Sequence, residues 1–249
     1  MTKVCAKSWT GTPERWSRIS KENSRNCDFL SAKPRWKMIP VIKTDSDEAS
    51  VTEAAAIMRE GGVIAYPTET FYGLGADIRN EGALERLYTI KGRGFNKPIS
   101  IIIGSRDDLK WFAREITPAA ESLMDRFWPG GVTLLFQAAH GLSERLTAGT
   151  GKIGIRLSSN PVATLLAQNL SGAITATSAN RSGEGECISA GEVVAAMGES
   201  VDAVIDGGKT QGGAGSTIVD TTVDPPVVIR EGIISSSELY REIREVQKS

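Results

Sequence analysis

Tyr66-Pro67-Thr68-Glu69-Thr70-Phe71-Tyr72-Gly73-Leu74-Gly75 interrupts an apolar run, Val63-Ile64-Ala65, with a proline followed by hydroxyls, a carboxylate and two glycines. Pro67 has no donor for a strand ladder, so the pattern predicts a buried strand that ends there and delivers polar groups to a functional loop. Gly73 and Gly75 are expected to let that loop bend sharply or lie close to a ligand. A simple strand-to-helix connector has the same composition. Other strand ends with similarly reactive chemistry favour the functional reading.

Upstream, Met38–Ile42 reads as a short strand, and Ser50-Val51-Thr52-Glu53 resembles a capping box opening a helix that runs to Arg59 and stops at Gly61-Gly62. Downstream, apolar residues recur at helical spacing from Ala83 to Ile90, placing a helix end at Lys91-Gly92-Arg93-Gly94. Strands are expected at Pro98–Ile103, Val132–Phe136, Lys152–Leu157 and Ala173–Thr177, the last running into Ser178-Ala179-Asn180. In Lys152–Leu157, residues Lys152, Gly154 and Arg156 share one face. Helices are expected at Leu109–Arg114, at Pro118–Phe127 and from Asn160-Pro161 to Leu170, with Pro161 suited to a first turn. The final third adds strands at Val201–Ile205, Ser216–Asp220 and Val227–Ile229 and a helix at Ser236–Val246. Crossover helices mixed with consecutive strands predict an α/β protein with a mixed, twisted open sheet flanked by helices.

The charge is unevenly distributed along the 249 residues. Residues 1–37 hold nine Lys/Arg against three acids, a charge of +6, which leaves −7 for the remainder and −1 in total. That segment has no apolar periodicity, so it reads as a disordered basic extension preceding a single domain over residues 38–249. It could be upstream sequence without a role, a basic arm touching nucleic acid or an organelle-targeting leader, and the first is preferred. No apolar run approaches the ~18 residues that span a membrane, so a cytoplasmic protein is expected, with organelle targeting through residues 1–37 as the alternative. Cys5, Cys27 and Cys187 are too few and too far apart for a disulfide framework or metal knuckle, and read as free thiols.

Several familiar signatures fail. Gly207-Gly208-Lys209-Thr210 ends like a P-loop, but Ala203 stands where its first glycine belongs. Gly92-Arg93-Gly94 begins like a dinucleotide fingerprint but lacks the third glycine and follows a helix. His140 is the only histidine and lies in a polar neighbourhood, which argues against a Ser-His-Asp triad or a His-ligated zinc and for a surface role. What remains is a set of cations and small polar residues at element ends. Lys91, Arg93 and Lys97 flank two glycines and suit a polyanion, although a solvated helix C-terminus also favours cations. Arg156 lies in an otherwise small and apolar strand and needs an anionic partner, internal or bound. Ser178-Ala179-Asn180, Ser216-Thr217 and Arg230 complete the set, with Ser216 following a glycine-rich loop that can form an anion-binding nest. Together they describe a cationic, hydroxyl-lined cleft for a nucleotide and a small carboxylate.

From Met38 to the C-terminus the chain resembles the YrdC-like threonylcarbamoyl-AMP synthases. The resemblance rests on Gly61-Gly62 through Pro67–Leu74, Lys91-x-Arg93 with Pro98, Trp128-Pro129-Gly130, Thr147-Ala148-Gly149, Ile155-Arg156, Ser178-Ala179-Asn180, Asp206-Gly207-Gly208, Ser216-Thr217-Ile218 and Arg230-Glu231-Gly232, in order. It implies the YrdC-like fold in a single-domain form, without the C-terminal domain of longer members. The implied reaction joins L-threonine, bicarbonate or CO2, and ATP into threonylcarbamoyl-AMP and pyrophosphate, an intermediate for threonylcarbamoyladenosine in tRNA. Mg²⁺ is expected to accompany ATP, with no dedicated protein metal site. Downstream threonylcarbamoyl-transferase proteins and tRNA or RNA are the implied partners.

Carried over by position, Lys91 and Arg93 become the catalytic cations facing the phosphates, with Phe95, Lys152, Ser178, Asn180, Glu186 and Arg230 also on the ATP side. Thr68, Ser100, Arg156, Ala176 and Ser216 fall to threonine, with Arg156 on its carboxylate. The chain departs from the family pattern at Gly94, where a proline is common, and at Gly215, where glutamate or proline is common. Two other functions fit the same resemblance: an RNA-binding module, and a carbamoyl-handling domain like that of hydrogenase-maturation carbamoyltransferases.

Overall fold

The computed structural model describes residues 39–44 and 48–246. The extension expected over residues 1–37, with Cys5 and Cys27, lies outside the described residues.

In chain order the first half runs β1 (Val41–Lys43), α1 (Glu48–Arg59), β2 (Ile64–Pro67), β3 (Tyr72–Gly75), α2 (Glu81–Lys91), β4 (Ser100–Ile103), a 3-10 segment (Arg106–Trp111), α3 (Pro118–Phe127) and β5 (Val132–Gln137). The second half runs α4 (Glu144–Thr147), β6 (Lys152–Arg156), α5 (Pro161–Asn169), β7 (Ala173–Ser178), α6 (Ala190–Met197), a 3-10 turn (Gly198–Ser200), β8 (Ala203–Asp206), β9 (Thr217–Asp220), β10 (Val227–Arg230) and α7 (Ser236–Val246). The ten strands form one sheet in the order β1-β8-β2-β3-β7-β4-β6-β5-β9-β10. Its pairings are mixed as expected: β1–β8, β8–β2, β4–β6 and β5–β9 are parallel and the others antiparallel.

Successive strand residues face opposite layers. Ala65, Ile101, Ile103 and Val204 join the larger core, with Leu84, Leu87, Leu123 and Leu239. Ile64, Tyr66, Ile102, Ala203 and Ile205 join the smaller one, with Val51, Met58, Val162 and Leu166. Helices therefore cover both faces, and strands buried on both sides read as continuous apolar runs rather than alternating ones.

The opening stretch departs from expectation. β2 does end at Pro67, but Tyr72–Gly75 returns beside it as an antiparallel strand, with Tyr66 opposite Gly73 and Ile64 opposite Gly75. The two glycines do not bend the chain. They leave room for Tyr66, since an added Cβ at Gly73 or Gly75 would come within 3.1 or 3.0 Å of its ring. That ring lies across bare backbone, and its hydroxyl donates to the Thr175 carbonyl of β7 at 2.8 Å. The functional loop shrinks to the four residues Thr68–Phe71.

Other differences are local. α1 begins at Glu48, so Ser50 is not its cap; the Ser50 hydroxyl donates to the Lys43 carbonyl at 3.0 Å. The helix expected over Leu109–Arg114 is the 3-10 segment, capped by Ser105 and Asp108. β1 starts at Val41, β4 at Ser100, β8 at Ala203 and β9 at Thr217. α4 and α6 were not foreseen, because spans of 4 and 8 residues give periodicity too little length to register.

Candidate active site

The site forms where several element ends meet. In the turn after β2 the Thr68 hydroxyl donates to the Phe71 carbonyl at 2.7 Å and accepts from the Thr70 amide at 3.2 Å, a side-chain mimic of a backbone turn. This closure directs Glu69 to the end of β6, where its carboxylate meets Arg156 Nη1 at 2.6 Å and accepts a short hydrogen bond from Ser158. Arg156 thus has an internal partner, while its Nε stays buried without a hydrogen-bond partner among the described residues.

α2 starts on an Asn80 cap and ends at Gly92, whose left-handed φ of 60° suits glycine. Lys91, the last helical residue, is only 3% exposed. Its ammonium donates to the Ser178 carbonyl and to Asn180 Oδ1, both at 2.7 Å. Asn180 is itself oriented by the Ser178 hydroxyl, which donates to Oδ1, and by its own amide donating to the Glu184 carbonyl, both at 2.6 Å. Among the described residues Lys91 forms no carboxylate ion pair. Burial, with the adjacent Arg93 charge, lowers its pKa to about 8. Just past the cap, Arg93 lies 5.4 Å from the centre of the Tyr88 ring. Its Nε and Nη2 are both buried without a partner among the described residues, and burial lowers its pKa. A desolvated guanidinium edge of this kind matches two oxygens of one oxyanion.

Arg230, at the end of β10, donates to the Ser216 carbonyl at 2.7 Å. Burial lowers its pKa, Glu186 opposes that shift, and the like charge of Arg156 reinforces it. Thr133 donates to the Ser216 hydroxyl at 2.9 Å. Between β4 and β5, Gly154 leaves bare backbone where a Cβ would come within 2.5 Å of the Ser100 hydroxyl.

Most of these groups, though not Glu69, Ser158 or Gly154, line one cleft of about 350 Å³, a size suited to small molecules. Of the residues singled out in the sequence, Thr68, Lys91, Arg93, Ser100, Arg156, Ala176, Ser178, Asn180, Glu186, Ser216 and Arg230 line it together. Phe95 and Lys152 do not. Phe95 is half exposed, stacked at a tilt 4.7 Å from Tyr88 with the Arg145 guanidinium over it. Lys152 begins the strand that Arg156 ends, roughly 13 Å away at strand rise, and is ion-paired to Asp220 at 2.7 Å. Lys97 is exposed and also outside the cleft lining. His140 is exposed, on a separate depression beside Trp111, and Cys187 is a buried free thiol. Sequence reasoning missed Glu69 and Thr133. Glu69 was legible as the carboxylate at the strand end, but only the fold shows that it faces Arg156.

The Sua5/YciO/YrdC family profile, described as "Telomere recombination", matches residues 56–232. The chain is 36% identical over 201 residues to a threonylcarbamoyl-AMP synthase of Pyrococcus abyssi, a match covering 81% of this chain and 59% of that protein. It is 36% identical over 176 residues to one of Thiobacillus denitrificans, covering 71% of this chain and 93% of that one. The crystal structure of P. abyssi Sua5 complexed with L-threonine superposes with a TM-score of 0.78 at 35% identity, covering 83% of this chain and 61% of that one. The chain thus spans about 60% of the length of the Pyrococcus protein. Profile, relatives and solved fold agree, and this chain belongs to the Sua5/YciO/YrdC family.

Proposed function

We propose that the protein is a threonylcarbamoyl-AMP synthase, converting L-threonine, bicarbonate or CO2, and ATP to L-threonylcarbamoyladenylate and pyrophosphate. The observation that carries this reading is the cationic pair left unsatisfied among the described residues: Arg93 with Nε and Nη2 both unpartnered there, and buried Lys91 bonded there only to neutral acceptors. Both line the same cleft as Arg156. Buried cations without counter-ions are costly, and a triphosphate supplies the missing charge. The names of the relatives, and the L-threonine in the Pyrococcus complex, support the same chemistry.

In this reading Lys91 and Arg93 neutralise the phosphates, Ser178 and Asn180 hold the Lys91 ammonium in place, and Arg230 and Glu186 border the nucleotide. Thr68, Ser100, Ala176, Arg156 and Ser216 surround threonine. The threonine amine takes up CO2 as a carbamate, whose oxygen attacks the α-phosphorus as pyrophosphate leaves. Charge neutralisation and alignment suffice, and no covalent nucleophile is needed. Magnesium enters as part of the MgATP substrate. Among the described residues no cluster of three His, Cys, Asp or Glu could hold a metal, and Glu186 is the carboxylate at the cleft; this donor set suits an ion held mainly by phosphates and water.

The product is an activated anhydride, which calls for an acceptor protein that transfers the threonylcarbamoyl group to tRNA adenosine. We place the catalytic unit within residues 38–249 and the activity in the cytoplasm. Among the described residues no helix is long and apolar enough to cross a membrane.

Pyrophosphate release from ATP, threonine and bicarbonate, with each omitted in turn, tests the reading. Release should require all three, and release that ignores threonine would overturn it. Lys91→Ala and Arg93→Ala should each lower turnover by at least about 100-fold, a loss typical of removing one electrostatic contact to the transition state, with circular dichroism unchanged.

A further inference from the structure

The Glu69–Arg156 pair has a geometry that a purely structural ion pair does not require. Glu69 accepts from Arg156 Nη1 at 2.6 Å, and its other oxygen accepts from Ser158, so both carboxylate oxygens are engaged. A guanidinium has two forks, and Nη1 lies across from the edge formed by Nε and Nη2. Arg156 Nε, on that second edge, is buried with no hydrogen-bond partner among the described residues, and Arg156 lines the cleft. Leaving such a donor unsatisfied is costly, so the pairing with Glu69 orients the residue without completing it.

We infer that Glu69 is a positioning residue: by holding Nη1 it turns the Nε–Nη2 edge of Arg156 toward the cleft to take a substrate carboxylate bidentately. The carboxylate-binding edge is thereby distinguished from the phosphate-binding edge of Arg93, whose described surroundings supply no such partner. This inference rests on the proposed threonine-binding role of Arg156.

The experiment compares calorimetric binding of L-threonine and L-threoninamide, which lacks the carboxylate, to the full chain and its variants. The full chain should prefer threonine, and Arg156→Ala should abolish that preference. Absence of threonine binding to the full chain would overturn the proposed reading itself. Glu69→Ala should reduce the threonine-to-threoninamide affinity ratio at least about tenfold while leaving the ATP dissociation constant within about twofold. Glu69→Gln keeps an acceptor for Nη1 and should restore the ratio to within about threefold of the full chain. If the full chain binds threonine and a folded Glu69→Ala keeps the same ratio, Glu69 has no positioning role. A Glu69→Gln as impaired as Glu69→Ala would equally overturn orientation by hydrogen bonding.

Discussion

Lys91 and Arg93 stand two positions apart yet answer the same electrostatic problem differently. Lys91 keeps its proton on neutral oxygens, whereas Arg93 lies over Tyr88 with an empty fork. Because a lysine is a point charge without that fork, Arg93→Lys should weaken ATP binding at least about tenfold, checked by calorimetry. The Lys91 pKa of about 8 lies below its ordinary 10.5. The buried charge therefore opposes folding below about pH 8, and the penalty is relieved as pH rises from there toward 10.5. Urea titrations should show the stability difference between the wild type and Lys91→Met changing across that window. ATP affinity, which needs the charged amine, should fall above about pH 8. A flat ATP affinity through that range would place the Lys91 ammonium off the phosphates.

At the scale of elements, the terminus of α2 and the β2–β3 hairpin set the geometry of the site. Gly92 turns the chain from Lys91 to Arg93 with a left-handed φ. Gly92→Ala should therefore cost about 1 kcal/mol and impair turnover more than stability, as seen by comparing unfolding midpoints with pyrophosphate release. Gly75→Ala would press a methyl against the Tyr66 ring and Met58. Overpacking of this kind costs typically 1–3 kcal/mol, and denaturant unfolding should report it. The hairpin also shows what patterning conceals. Gly73 and Gly75 look alike in a loop and in a strand that must admit a ring, and only the register of Tyr66 opposite Gly73 separates the two.

Across the whole molecule, the cleft draws on β2, β3, α2, β4, β5, β6, β7, β9 and β10, so ligand binding should stabilise the sheet as a unit. At about 100 times its Kd, MgATP should add about 2.7 kcal/mol, raising Tm by roughly 5–10 °C for a domain of this size. Arg93→Ala should abolish that shift in a thermal scan. Continuous apolar runs, the Asn160-Pro161 helix start and glycine stops such as Gly92 made the helices and the mixed sheet readable, since these signals are local, whereas the caps at Asn80 and Thr117 emerged only from the structure. Most of the cations and hydroxyls that line the cleft were legible one residue at a time, although Phe95 and Lys152 fall outside it and Glu69 and Thr133 were missed. What only the tertiary structure decided was pairing across distance. Arg156 faces Glu69, which precedes it by 87 residues, whereas Lys152, on the same strand, is drawn away to Asp220. Electrostatic partnership depends on ångströms in space, and sequence separation does not encode it until the sheet order β3-β7-β4-β6-β5 has been laid down.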